Sequence, residues 1–355
     1  MALTTHFFAG ANSGSGFQSY FFDVIDPEMN YDCVLLKGGP GVGKSTLIRT
    51  LGQAMEATGQ PVEYLWCSGD PESLDGVVLP QLRCAVIDAT SPHAVEPKYP
   101  AAVDRYLDLG CFYDLTAAKA EAAAIKRETN AYQEAYRQAY RCLRAARELE
   151  LGSIESAAQT ADHRRLQRRF SGIAKRELQK RGKEQGVTRR RFLGSFTHKG
   201  YIWQFGSVAA LCDRVYVLED RFELAGPFLE QLRLQAMKLG WDCIACGAPE
   251  APGRWEHLLI PGLRLGFVTQ RPGMEYPQKA YRHIRLDALT SPADKGRLRL
   301  QQRLVKALRS EAQQYLQEAK EHHDALEQIH NPYVDFHGVQ RVAALETGRF
   351  LSYLQ

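Results

Sequence analysis

The run Gly38-Gly39-Pro40-Gly41-Val42-Gly43-Lys44-Ser45-Thr46 spells G-x-x-x-x-G-K-[ST] in full. Glycines at these positions let the backbone wrap an anion with several inward N–H groups, and a helix starting at the end of the loop adds its partial positive charge. Lys44 is then placed to bridge the β- and γ-phosphates of ATP or GTP, and the Ser45 hydroxyl to ligate Mg²⁺. The context is the one this chemistry needs. An apolar run, Cys33 to Leu36, precedes the loop, and Leu47, Ile48, Leu51 and Met55 follow it at helical spacing.

A carboxylate on the metal side should come from the end of a later strand. Cys84-Ala85-Val86-Ile87-Asp88 has that form, so Asp88 is the expected partner of the magnesium, acting through water. Ala89 follows it, so the adjacent Asp-Glu pair of many ATP-driven motors is absent and a catalytic base must come from elsewhere. Asp70, Glu72 and Asp75 lie just after the apolar run Val62 to Trp66, in a loop expected to face the ligand crevice. There they could orient a water or accept a proton, although Asp70 and Asp75-Gly76 also suit ordinary turns. His93 and Lys98 follow Asp88 in a proline-rich stretch and are similarly placed.

These residues require a scaffold, and residues 31 to 115 read as one: alternating strands and helices that predict a parallel α/β sheet of P-loop NTPase type. From Leu115 the composition turns to Ala, Glu, Arg and Tyr, which predicts a long helix ending at Gly152-Ser153. A more basic helix is expected from Ser156 to Lys183, interrupted near Ser171-Gly172.

After Arg190 the sequence begins again. Gly10 returns as Gly194 and Gly16 as Gly200, both 184 residues later, and Val78-Leu79-Pro80-Gln81-Leu82 returns as Leu259-Ile260-Pro261-Gly262-Leu263, 181 residues later. Two copies of one α/β unit, each with a long helical appendage, account for this. The expected organisation is a loop-bearing half over 1–115, a helical and increasingly basic part over 116–190, a degenerate second half over 191–295, and a C-terminal helical segment over 296–355. In the second copy the loop is replaced by Glu219-Asp220-Arg221-Phe222-Glu223-Leu224-Ala225-Gly226-Pro227-Phe228-Leu229, and Asp88 is faced by Thr269. Acidic side chains there would repel phosphates, so one nucleotide per chain is expected. Arg221 or Arg271 of the second half could still reach toward the γ-phosphate as an arginine finger.

The 355 residues carry a net charge of +4, unevenly placed. Between His163 and Arg191 stand Arg164, Arg165, Arg168, Arg169, Lys175, Arg176, Lys180, Arg181, Lys183, Arg189, Arg190 and Arg191 against only Glu177 and Glu184. The block suggests an anionic partner, nucleic acid among the possibilities, or an acidic face of the same protein. Cys243 and Cys246 form a C-x-x-C without a second pair at metal-ligand spacing, and read as strand residues. No apolar run is long enough to span a membrane and the start lacks a signal-like stretch, so a cytoplasmic protein is expected.

The sequence resembles a little-characterised bacterial family of tandem P-loop ATPases. The likeness rests on His6-Phe7-Phe8 with Gly16-Phe17, on Lys37 to Thr46, on Cys67 to Pro80, and on Ile87 to His93 with Glu96 to Pro100. It implies ATP binding and a duplicated domain but no defined substrate. Members often keep the loop in both halves, and this chain departs from that in the second. The expected activity is a Mg²⁺-dependent ATPase; a P-loop kinase acting on a small molecule or nucleotide, and a nucleotide-switched RNA- or DNA-binding module, are the alternatives.

Overall fold

The computed structural model describes residues 3–182, 184–291 and 295–355. Lys183 of the basic block lies outside them. The first half runs β1 (Thr4–Phe7), β2 (Gly10–Ser13), β3 (Gly16–Ser19), α1 (Phe21–Val24), β4 (Asp32–Lys37), α2 (Lys44–Ala57), β5 (Val62–Trp66), β6 (Leu74–Leu79), β7 (Cys84–Asp88) and β8 (Asp104–Asp108). A short turn, α3 (Leu115–Ala118), leads into the long helix α4 (Ala122–Thr160), followed by α5 (His163–Glu177). The second half runs β9 (Thr188–Arg191), β10 (Gly194–Thr197), β11 (Gly200–Trp203), α6 (Phe205–Leu211), β12 (Arg214–Glu219), α7 (Gly226–Lys238), β13 (Cys243–Ala248), β14 (Ala251–Ile260), β15 (Leu265–Gln270) and β16 (Arg282–Arg285). The chain closes with α8 (Lys295–His330) and α9 (Phe336–Ser352).

The sheet is mixed rather than parallel. Its order is β1-β5-β6-β7-β4-β8, and β6 runs antiparallel to both its neighbours. Leu74 to Leu79 follows β5 after only a short loop, which turns the strand back on its neighbour, whereas a crossover to a parallel neighbour needs a dozen residues or more. The second sheet reads β9-β13-β14-β15-β12-β16 from its first strand, with the same direction at every pairing. Strand for strand it repeats the first, as a duplicated unit requires.

Both faces of each sheet are covered, which explains the unbroken apolar runs. In β4, Val34 and Leu36 pack toward α2, while Cys33 and Leu35 enter a core shared by both halves with Phe7, Ile87, Phe205 and Val268. A buried Arg191–Glu63 ion pair at 2.6 Å also joins the halves.

The helical appendages are exchanged. Helix α4 does not stop at Gly152-Ser153. Ser153 Oγ donates back to the Glu150 carbonyl, Ile154 and Ala157 continue the buried stripe, and Ala157 packs onto the second half. Asp162 accepts from the Arg165 amide and starts α5, which runs through Ser171-Gly172 as far as Glu177 and packs Leu166, Phe170 and Ile173 against Tyr216 and Leu232. Helix α8 returns antiparallel along α4, linked by Glu150–Arg309 and Glu128–His322 at 2.8 Å each. Helix α9 then packs Val339 and Phe350 against Val42, Leu47 and Leu51 of the first half. Each half is therefore roofed by a helix that follows the other half in sequence.

Candidate functional site

The glycine loop joins β4 to α2 with Gly38 at φ +141°, Gly41 at +76° and Gly43 at +95°, conformations in which a side chain would be strained. Gly43 is the residue that precedes the first turn of α2, and Lys44 and Ser45 open the helix. Lys44 Nζ folds back on the loop, donating to the carbonyls of Gly38 (2.8 Å) and Gly39 (3.0 Å), and lies 3.5 Å from Asp88 Oδ2. Asp88 ends β7, paired directly with Leu36 of β4, and its other oxygen accepts from the Thr90 amide and hydroxyl at 2.9 and 2.6 Å. Ser45 Oγ accepts from the Leu74 amide at 2.9 Å. A lysine, a hydroxyl and a carboxylate thus converge beside a backbone cradle. Thr46, the last residue of the motif, is exposed on the first turn of the helix.

The carboxylates of the next loop separate. Asp70 holds its own turn, accepting from the Glu72 amide (3.2 Å) and the Ser73 hydroxyl (2.9 Å), and faces Lys320 of α8 at 3.8 Å. Asp75 is buried and pairs with His93 at 3.5 Å, with His93 packed between Phe17 and Phe21. Burial alone would strip the imidazole of its proton; the charge and hydrogen bond of Asp75 outweigh it and raise the His93 pKa above its ordinary value. The pair favours imidazolium, so His93 is better suited to donate a proton than to accept one. Lys98 lies away from Lys44, against the Tyr99 ring.

What covers the loop comes from the far end of the chain. A side chain on Gly41 would meet Asn331 Oδ1 at 2.6 Å and the Glu327 backbone at 3.2 Å, so the last turn of α8 rests on the cradle. Asn331, with its amide nitrogen turned inward, donates to the Gly41 carbonyl at 3.3 Å, and the Tyr113 hydroxyl donates to the Pro40 carbonyl at 2.8 Å. From the second half, Lys199 pairs with Glu72 and His198 lies 3.3 Å from the Gly69 carbonyl. Nothing in the spacing of these residues marks them, because their role depends on the helix exchange.

The second-half loop keeps the path and loses the chemistry. Glu223, aligned with Gly41, also has positive φ, +56°, and α7 starts at Gly226, aligned with Lys44. The amides of Leu224 and Ala225, aligned with Val42 and Gly43, donate to the Asp220 carboxylate at 2.7 and 2.9 Å. Burial pushes that carboxyl up to about 7 despite these bonds. The protein's own acid thus occupies the amides a phosphate would need. Glu223 is in turn paired with Arg147 of α4 and lies 3.7 Å from Arg254. The proposed finger Arg271 is ion-paired with Glu256 at 2.6 Å inside this same region, and Arg221 lies over the Phe222 ring. Neither pairs with the first-half loop among the described residues; the cations brought to that side are Lys199 and Lys320.

The basic block divides. Arg190 pairs with Asp23 and Arg191 with Glu63, across the junction of the halves, while Arg164, Arg165 and Arg168 are exposed on α5 without an ion pair among the described residues. Cys243 and Cys246 are buried free thiols in β13. No helix among the described residues is long and apolar enough to cross a membrane. No family model matches this chain, and no curated protein or solved structure matches it.

Proposed function

We propose that the first half binds a nucleoside triphosphate, most simply ATP, with Mg²⁺ and hydrolyses it, while the second half is a pseudo-site that completes and regulates the first. The observation that carries this reading is Lys44 Nζ, held 3.5 Å from Asp88 by a loop in which three of the four glycines take positive φ. Lys44 would exchange its two carbonyl acceptors for phosphate oxygens, a stronger charge-assisted pairing, and the loop amides would take the rest of the phosphate charge. Ser45 and Asp88 fit a magnesium site: a hydroxyl that among the described residues accepts from one amide, and a carboxylate at an adjacent strand end. The ion when bound supplies charge neutralisation across the phosphate oxygens.

His93, kept protonated by Asp75, would add positive charge behind the loop. Asp70 and Lys320 close the side facing α8, which shields the phosphates from water. Free cysteines throughout suit a reducing, cytoplasmic setting, and the likeness to tandem P-loop ATPases points the same way. The test is a product assay on purified protein with MgATP. Phosphate release without an acceptor, lost in Lys44→Ala, supports hydrolysis; nucleotide consumed only with an added nucleoside or metabolite, which becomes phosphorylated, would replace it with a kinase.

A further inference from the structure

The duplication supplies an internal control for a second feature, a cavity of about 220 Å³ at the junction of the halves, well away from the loop. It lies between α1 with the following residues to Asn30, Arg83, and strand β9. The equivalent junction on the other side is between α6 and β1. There Ser207 Oγ accepts from the His6 amide (2.6 Å) and donates to the His6 carbonyl (2.7 Å), which draws the two elements together. At the same alignment, 184 residues apart, Ser207 becomes Asp23 and His6 becomes Arg190. These meet through their side-chain tips, a longer connection that holds α1 off β9.

The opened space is basic. Thr5, His6 and Phe7 of one junction correspond to Arg189, Arg190 and Arg191 of the other. Arg190 is taken by Asp23 and Arg191 by Glu63. Arg189 is partly buried in the cavity wall, yet its guanidinium makes no ion pair or hydrogen bond among the described residues. Across from it Arg83 is oriented by bonds to the carbonyls of Met29 (3.2 Å) and Glu28 (2.8 Å). Asp26 is the one further acid in the lining. Two guanidiniums with free donors in a recess this small match a compact phosphate group, which guanidinium planes bind in forked geometry.

We propose that this cleft binds a small phosphorylated metabolite, with its phosphate on Arg189 and Arg83. Both halves line the site, so its occupant would bear on how they pack. The site is independent of the glycine loop, and the test keeps them apart. Pyrophosphate is titrated calorimetrically into Lys44→Ala protein, in which the loop is disabled. One bound pyrophosphate per chain is expected, weakened about tenfold or more by Arg189→Glu and less by Arg83→Ala, since a charged hydrogen bond contributes about 1.5–3 kcal/mol. Arg189 makes no side-chain hydrogen bond or ion pair among the described residues, so Arg189→Gln should unfold at the parent's midpoint and bind with intermediate strength. Absence of binding in the Lys44→Ala protein, or equal binding by Arg189→Glu, would overturn the proposal. So would a 5′-phosphorylated RNA oligonucleotide binding through Arg189 where pyrophosphate does not, since the occupant would then be a polymer.

Discussion

Lys44 and Asp88 lie 3.5 Å apart, yet their expected effects on substitution differ. Lys44→Ala removes the point charge from the loop and should weaken nucleotide binding by about 2–3 kcal/mol, roughly 30- to 150-fold, measurable by calorimetry. Asp88→Asn should leave most of that affinity and lower magnesium-dependent turnover; unchanged turnover and unchanged magnesium dependence would place the metal on another carboxylate. His93 tests the electrostatics behind the loop. Its folded pKa is raised above the ordinary 6.5 by Asp75, against the opposing effect of burial. The pair therefore contributes stability that is fully present below about pH 6.5 and lost as pH rises through the raised folded value. Thermal midpoints of wild type and His93→Gln should differ most in acid and converge as pH rises, and a gap independent of pH would show that His93 is buried neutral.

At the scale of elements, Gly41 is where the loop and α8 meet. Gly41→Ala places a methyl at φ +76° and against the Glu327 backbone, which a helix cannot easily yield. It should lower the melting temperature as well as nucleotide affinity, by at least the 1–2 kcal/mol of left-handed strain alone. A loop variant that lost affinity with no change in melting would mean that α8 does not press on the cradle. Removing α9 should be worse, because it uncovers Val42, Leu47 and Leu51. A chain ending at His330 is expected to lose cooperative unfolding of the first half, read by hydrogen exchange in α2. The element types were largely legible in the sequence, since β4, α2 and β7 declare themselves by apolar period and by the motif. The direction of β6 was not legible in its apolar run Leu74 to Leu79, which fits either orientation; the short loop after β5 decides it. Nor was the length of α4, where Gly152 reads as a stop and the packing of Ala157 on the distant half overrides it. The site was legible in part for the same reason: Lys44, Ser45 and Asp88 follow from local pattern, whereas Lys320, Glu327 and Asn331 reach the loop only through the tertiary exchange.

The whole molecule repeats one strand order in two halves, each closed by the other's helix, with the glycine loop in the first alone. The junction carries a buried ion pair, Arg191–Glu63, whose single loss leaves a stranded charge. Arg191→Ala should destabilise the protein by about 3–5 kcal/mol, while replacing both residues with apolar ones of similar volume should cost far less. Chemical denaturation of both variants measures this, and equal costs would show that solvent reaches the pair. The asymmetry of the two loops is the central claim, because Asp220 occupies the very amides that Val42 and Gly43 leave available in the first half. It is tested most directly by calorimetric titration of a non-hydrolysable ATP analogue with Mg²⁺. One nucleotide per chain is expected in the wild type and an affinity about 30- to 150-fold weaker in Lys44→Ala; two equivalent sites, or an affinity unchanged by the loss of Lys44, would contradict it.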